Sequence, residues 1–415
     1  MKIAIFTEGS FIPSMDGASV HFSGLAKSLS KNGFEVCIFH CYRGWSDIKL
    51  ISKENFKTYF LPPNSFYKNY PLLSRLIKSE NPDIIQMNDL ETILHLGAKL
   101  KKDFQKHLVF DAVFVSSILA KQLGASKPEI NQLKKSENLV GKLCDAFLCL
   151  NSHDKKGIIR LFGVKDSEVH LLPCGIEIPT INFYGPNFKN KNLLFLGNMF
   201  FEPNKRAVEA IANKIMPSLI NSAPNLNVLF VGDCPNNVRK RYESDKMIFL
   251  GRVPDLNSVF KKTTIALAPI VESAGIRVKI LFYLAAGLPV ISTSNAAMGL
   301  DDEGVIFRTN ISNFGKVIQH IFDQNKTILS RVEKGKRMIE EKYNWDIIGT
   351  QAKEIYQRIK QKAIKYYIPE MNLNIMQEPF WLKETIEKGR FKKSKSRVNF
   401  LFAISNHGRV KYFYV

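Results

Sequence analysis

The stretch from Gly275 to Ser294, "GIRVKILFYLAAGLPVISTS", sets a glycine and two cations ahead of an apolar run and a β-branched one. Gly287 is a C-cap and Pro289 cannot continue a helix, so the spacing predicts a helix over Ile280 to Ala286 and a buried strand from Val290. Arg277 and Lys279 then stand at the helix opening, where backbone N–H groups lack intrahelical partners and the dipole is positive. Two added cations suit that place to a phosphate or pyrophosphate, with Gly275, Ile276, Arg277 and Lys279 as the contacting residues.

Other chemistry-bearing residues form no comparable pattern. No Ser-His-Asp set is visible, and His21 and His153 read as ordinary polar residues on a first helix and in a loop. Asp301, Asp302 and Glu303 in "LDDEG" read as a solvated loop, so no metal site is expected. The six cysteines show no CxxC pair and no zinc spacing, which points to reduced core thiols of a cytoplasmic protein.

The elements that must position the basic pair alternate along the chain. "KIAIF" reads as a buried strand, "VHFSGLAKSLSKNG" as a helix stopped by Gly33, and "FEVCIFH" as the next strand. That is a βαβ unit, which builds a parallel sheet with ligands at the carboxyl ends of its strands. A second alternating series starts near Asn192 with "NLLFLGNM" and continues through "NLNVLFVGD", "MIFLGRV" and "TIALAPI". The expected organisation is α/β, with two Rossmann-like domains facing across a cleft, at residues 1–180 and 190–345. A long amphipathic helix at 346–367 is expected to cross back to the first domain, and a basic extension fills 368–415, with a hairpin around "SNHG".

A chain of 415 residues with 45% apolar content supports two full cores. Its net charge of +21 implies an acidic partner. Nucleic acid fits poorly, because the cations are scattered and "RFKKSKSR" lacks interleaved aromatics. "MKIAIFTEGS" reads as a first strand rather than a signal segment, and no apolar run nears the roughly 18 residues of a membrane span. The lysine-rich "QLKKSENLVGKL", "DKKGIIRLFG" and the basic tail are candidates for resting on an anionic membrane surface.

The ordered series "PSMDGASVHFSGLAKSLSKNGFEV", "NPDIIQMND", "HLLPCGIEIP", "LFLGNMFFEPNKRAVEAI", "FLGRVPDLNSVFKKTTIALAPI" and "GIRVKILFYLAAGLPVISTSNAAMGL" resembles the GT-B glycosyltransferases of family 4 (group 1) over roughly residues 1 to 365. The resemblance implies a nucleotide diphosphosugar as co-substrate, no further cofactor, and metal-independent, retaining transfer. It places the donor on the second domain, at Gly197, Gly232, Gly275, Ile276, Arg277 and Lys279, with Gly17 of the first domain near the diphosphate. Glu272 takes a family position near a sugar hydroxyl, and Arg277 and Lys279 neutralise the leaving diphosphate. The implied acceptor is a glycan, lipid-linked or small molecule, in surface polysaccharide synthesis, on the cytoplasmic face of a membrane.

Several positions depart from the family pattern. Asp16-Gly17 stands for two glycines, Val113 for a histidine, and Ile280 or Phe282 for a ribose-binding carboxylate. Asn198 and Asn204 stand where relatives often carry an Arg…Lys pair, while Lys205 nearby reads as a solvated lysine at a helix start. Pro173, Cys174 and Gly175 resemble the family's interdomain "PNG" turn, read as a hinge. These losses leave open a non-catalytic GT-B protein that binds a partner or glycan. A sugar-nucleotide epimerase would need clustered His and carboxylate groups that the sequence does not assemble.

Overall fold

The computed structural model describes residues 1–8, 11–12, 16–42, 48–220, 222–223, 225–272, 275, 277–300, 302, 304–366, 400–404 and 410–414. The chain divides into two compact units, with boundaries at Cys174/Gly175 and Asn344/Trp345.

In the first unit, strands β1 (Lys2–Glu8), β2 (Glu35–Cys41), β3 (Lys57–Leu61), β4 (Ile84–Met87), β5 (His107–Ala112), β6 (Ala146–Cys149) and β7 (Val169–Leu171) pair in parallel, in the order β3-β2-β1-β4-β5-β6-β7. The central strands are apolar and buried without alternation, as expected where helices cover both faces of a sheet. The second unit holds β8 (Asn192–Leu196), β9 (Asn227–Val231), β10 (Met247–Gly251), β11 (Ile265–Ala268), β12 (Val290–Ser292) and β13 (Phe307–Arg308), all parallel, in the order β10-β9-β8-β11-β12-β13. From the tail, β14 (Phe400–Ile404) pairs antiparallel with β3 and with β15 (Val410–Tyr414). The "SNHG" turn between them and the basic run from Lys388 to Arg397 lie outside the described residues.

The helix Trp345–Gln361 belongs to the first unit and packs on the helix Gly17–Lys31. Small residues let the two axes close: a Cβ at Gly24 would lie 2.1 Å from the Trp345 indole, and one at Gly349 would lie 1.9 Å from Ser28 Oγ. Ser28 Oγ also donates to the Trp345 carbonyl at 2.8 Å. Farther along, buried Tyr356 donates its hydroxyl to Gln86 Oε1 on β4, which ties the helix to the sheet. Among the described residues, no helix is long and apolar enough to cross a membrane.

Candidate active site

The order of the second sheet turns back between β8 and β11, and ligands of open α/β sheets bind where carboxyl ends diverge in this way. The segment after β8 carries Gly197, Asn198 and Asn204, and the segment after β11 carries Glu272, Gly275 and Arg277. Both meet the helix Val278–Ala285, which starts two residues earlier than the glycine and proline spacing predicts. Val278 is buried and joins the core, so the helix extends back to it. Arg277 is therefore the N-cap residue and Lys279 lies inside the first turn.

Tyr283 fixes how this helix sits. It is fully buried, and its hydroxyl accepts the Leu196 N–H at the end of β8 at 2.7 Å. Lys279 precedes Tyr283 by four residues, hence shares its helix face and looks toward the same strand end. Its Nζ lies 4.1 Å from the centroid of the Phe195 ring and donates to Asn204 Oδ1 at 2.8 Å. Among the described residues no carboxylate lies within ion-pair distance of Lys279. Burial, with the neighbouring Arg277 guanidinium behind it, holds the Lys279 ammonium well below the usual lysine range. The direct contacts of Nζ, an amide oxygen and a ring, are neutral, and an added anion would favour the charged ammonium.

The glycines around it supply space. A Cβ at Gly197 would lie 2.9 Å from both Lys279 Nζ and Asn204 Cγ. One at Gly232, whose φ is +120°, would lie 2.2 Å from the Gly197 carbonyl oxygen. Their own N–H groups are committed to backbone carbonyls, Gly197 to Val231 at 2.9 Å and Gly232 to Gly251 at 2.7 Å. Gly275 is buried with φ +71°, a conformation that favours glycine. Ile276 lies outside the described residues.

Arg277 donates through Nη2 to the Glu272 carbonyl at 3.0 Å, so it braces the turn that bears it. The Glu272 carboxylate is paired elsewhere: Arg206 Nη1 meets its Oε1 at 2.5 Å. Arg206, on the helix Glu202–Ala210, also contacts Glu202 at 3.2 Å, and Lys205 pairs with Glu202 at 3.4 Å. Ile280 is buried in the core, whereas Phe282 is only partly buried. In "LDDEG", Asp302 pairs with Arg308 at 3.0 Å, and Asp301 and Glu303 lie outside the described residues.

The first sheet turns back between β1 and β4, and here the charge is opposite. Asp89, just beyond β4, accepts the Glu8 N–H at 3.0 Å, and Tyr67 donates its hydroxyl to the Glu8 carboxylate. Burial and then the nearby Glu8 push the Asp89 carboxyl up to about 8. Deeper in the unit, His21 and Asp111 form a fully buried pair at 3.0 Å. Burial alone would lower the His21 imidazole, but Asp111 outweighs it and holds the ring protonated, raised to about 10. Gln86 Nε2 donates to Asp111 Oδ2 at 3.0 Å and to Asn88 Oδ1 at 2.8 Å.

Gly17 is the first residue of its helix and is exposed. Asp16 is the N-cap, with its carboxylate accepting the Ser19 N–H at 2.8 Å in a capping box, so the departure from two glycines has a local structural role. Val113 is partly buried. An open groove of about 710 Å³ lies on the same unit, with Ile118, Ile130 and Leu161 as apolar lining and Lys121, Lys134 and Arg160 as cations. His153 also lines it.

The polar residues at these strand ends that the sequence reading passed over are Arg206, Glu8, Asp89 and Asp111, with Asn204 noted only as a missing cation. Asp89 sits in the quoted "NPDIIQMND", at the end of a strand, which was the available signal.

Comparison with known proteins gives matches to both units. Residues 190–324 match the family model described as "Glycosyl transferases group 1", and residues 15–178 match "Glycosyltransferase Family 4". A crystal structure of Anabaena HepE in complex with UDP-glucose superimposes with a TM-score of 0.67 at 14% identity, covering 86% of this chain and 100% of that one. WaaG, a glycosyltransferase involved in lipopolysaccharide biosynthesis, superimposes at 0.64 with 16% identity, covering 85% and 99%. An uncharacterized 44.6 kDa protein in the cps region of Klebsiella pneumoniae is 24% identical over 148 residues, 31% of this chain and 38% of that protein's length.

Proposed function

The chain belongs to the GT-B glycosyltransferases of the group 1 and family 4 type, and from that premise we propose that it moves a sugar from a nucleotide diphosphosugar to a glycan or lipid-linked acceptor. The observation that carries the reading is the Lys279 ammonium, partly buried near Arg277 at the switch point of the second sheet, with its Nζ set against the Asn204 amide oxygen and the Phe195 ring. A diphosphate is the part of such a donor that needs this.

In the proposed reaction the bond between the anomeric carbon and the diphosphate oxygen breaks, and the acceptor oxygen bonds to that carbon. The acceptor proton passes to the departing diphosphate, so no enzyme base is required, and the anomeric configuration is retained. Arg277 and Lys279 stabilise the charge that grows on the leaving group, where one well-placed donor is worth about 2.7–4 kcal/mol. We assign no metal to this step. HepE with UDP-glucose makes uridine donors the first to test. WaaG and the cps-region relative support a role in surface polysaccharide synthesis. Lys121, Lys134 and Arg160 around their apolar groove support peripheral contact with an anionic membrane surface from the cytoplasmic side.

A second reading rests on Phe282 and Val113, which put apolar groups where the resemblance implies a carboxylate and a histidine. It makes the protein a non-catalytic binder of a partner or glycan. Thermal shift against a panel of nucleoside diphosphosugars separates the two. The transferase reading expects stabilisation by at least one donor, followed by its hydrolysis or transfer, and loss of both in Arg277→Ala and Lys279→Ala. No shift with any donor would favour the binder.

A further inference from the structure

Asn204 is buried, 8% exposed, in the first turn of the helix Glu202–Ala210. Both ends of its amide are engaged. Its Oδ1 accepts from Lys279 Nζ at 2.8 Å, and its Nδ2 donates to the Asn198 carbonyl at 2.8 Å. An ammonium only donates and a carbonyl only accepts, so the two partners leave the amide a single orientation. The other group against Nζ is the face of Phe195, 4.1 Å from the ring centroid to Nζ. Lys279 is thus aimed by an amide dipole and a ring, neither of which cancels its charge. A carboxylate would aim it as well and would neutralise it.

We infer that Asn204 is a positioning residue for the donor diphosphate: it holds the Lys279 ammonium at the end of β8 while leaving its charge for the incoming anion. The inference rests on the reading that Arg277 and Lys279 bind that diphosphate. It accounts for an amide, rather than a carboxylate or a cation, at residue 204. Asp there would form an internal ion pair of the same shape, whereas Lys would set two ammonium groups against each other.

The test is isothermal titration of wild type, Asn204→Asp, Asn204→Ala and Lys279→Ala with UDP and with inorganic pyrophosphate, alongside thermal melting. Asn204→Asp is expected to weaken both ligands at least tenfold while melting no lower than wild type, because the new pair keeps the contact. Asn204→Ala is expected to weaken them less and to melt lower. Wild-type affinity is expected to fall as pH rises and the ammonium loses its proton, and Asn204→Asp is expected to lack this fall. An aspartate variant that binds as wild type does would overturn the inference and reduce Asn204 to a packing residue. If wild type and Lys279→Ala bind the probes equally, or neither binds, the nucleotide-sugar reading fails and the role of Asn204 with it. Lys279→Ala distinguishes that outcome from failure of the Asn204 role alone.

Discussion

In the second unit the strand order turns back between β8 and β11, and the charged groups gathered there include Lys279, Arg277 and Arg206, the last paired with the carboxylates of Glu272 and Glu202. In the first unit it turns back between β1 and β4, and the groups are Glu8 and Asp89, with the His21–Asp111 pair beneath. The same topology leaves the same opening at the carboxyl ends of a parallel sheet. What differs is the sign of the charge. A cationic crevice suits a diphosphate, and a carboxyl-lined one suits hydroxyls, which donate hydrogen bonds to carboxylates. Under the proposed function, the cationic unit would hold the leaving phosphate and the carboxyl-lined one the sugar acceptor.

The largest expected effect tests the cationic side. Lys279→Ala removes the ammonium without touching Tyr283, which anchors the helix. It should lower kcat/KM with the best nucleotide sugar by roughly 10²–10³. Steady-state kinetics read this directly. A loss below tenfold would show that the second unit's cations do not meet the developing charge, and the contrast between the units would lose its chemical meaning.

Next in size is Asp111→Ala on the other side. It leaves the His21 imidazole buried without its carboxylate, which costs about 3 kcal/mol, the low end for a broken buried pair because imidazole can shed its proton. Urea unfolding followed by tryptophan fluorescence measures it, since Trp345 lies 6.0 Å from His21, centroid to centroid. If stability is unchanged but transfer is lost, Asp111 belongs to the chemistry of the first unit rather than to its framework.

The two crevices also differ in how far they were legible. Arg277 and Lys279 fall within one contiguous stretch after Gly275, so an anion site could be proposed there from spacing alone, whereas Arg206 comes from a distant helix. The α/β alternation was equally plain, because buried parallel strands are short apolar runs separated by helical periodicity. Glu8, Tyr67 and Asp89 are spread over eighty residues and meet only when β1 and β4 pair. His21 likewise reads as an ordinary polar residue until Asp111, ninety positions later, closes on it. Asn204 was legible only as an absence, because its role depends on a lysine from another helix. The partner of Glu272 was missed for the same reason: Arg277 is near in sequence, but its guanidinium turns back to a backbone carbonyl and leaves the carboxylate to Arg206.

A smaller effect sharpens the anionic side through pH. The folded-state value of Asp89 lies above its unfolded value. Its contribution to stability is therefore fully present below the ordinary aspartate range and is lost as pH rises through about 8. His21 is raised too, and its contribution is lost on the way to about 10. Wild type should thus lose stability from pH 5 to 9, and Asp89→Asn should lose less by more than ~1 kcal/mol, the worth of a single pK unit. Urea midpoints across that range measure the difference, which isolates Asp89 because His21 is common to both proteins. Parallel curves for the two proteins would mean that burial and Glu8 do not raise the Asp89 carboxyl, which would then be ionised at neutral pH.

The smallest effect concerns the Glu272 carboxylate in the cationic crevice. Arg206 is 41% exposed and Glu272 12%, so their pair contributes little to stability, on the order of 0–1 kcal/mol. Its consequence is directional. With Arg206 occupying the carboxylate, Arg277 meets Glu272 through the backbone carbonyl rather than through the charged group. Arg206→Ala should release the carboxylate toward Arg277, raise KM for the nucleotide sugar several-fold and leave kcat and melting nearly unchanged. Adding Glu272→Gln should restore KM, because the released group no longer carries charge. If the double variant stays as weak as the single one, Arg206 itself contacts the donor, and the cationic crevice gains a third phosphate or ribose ligand.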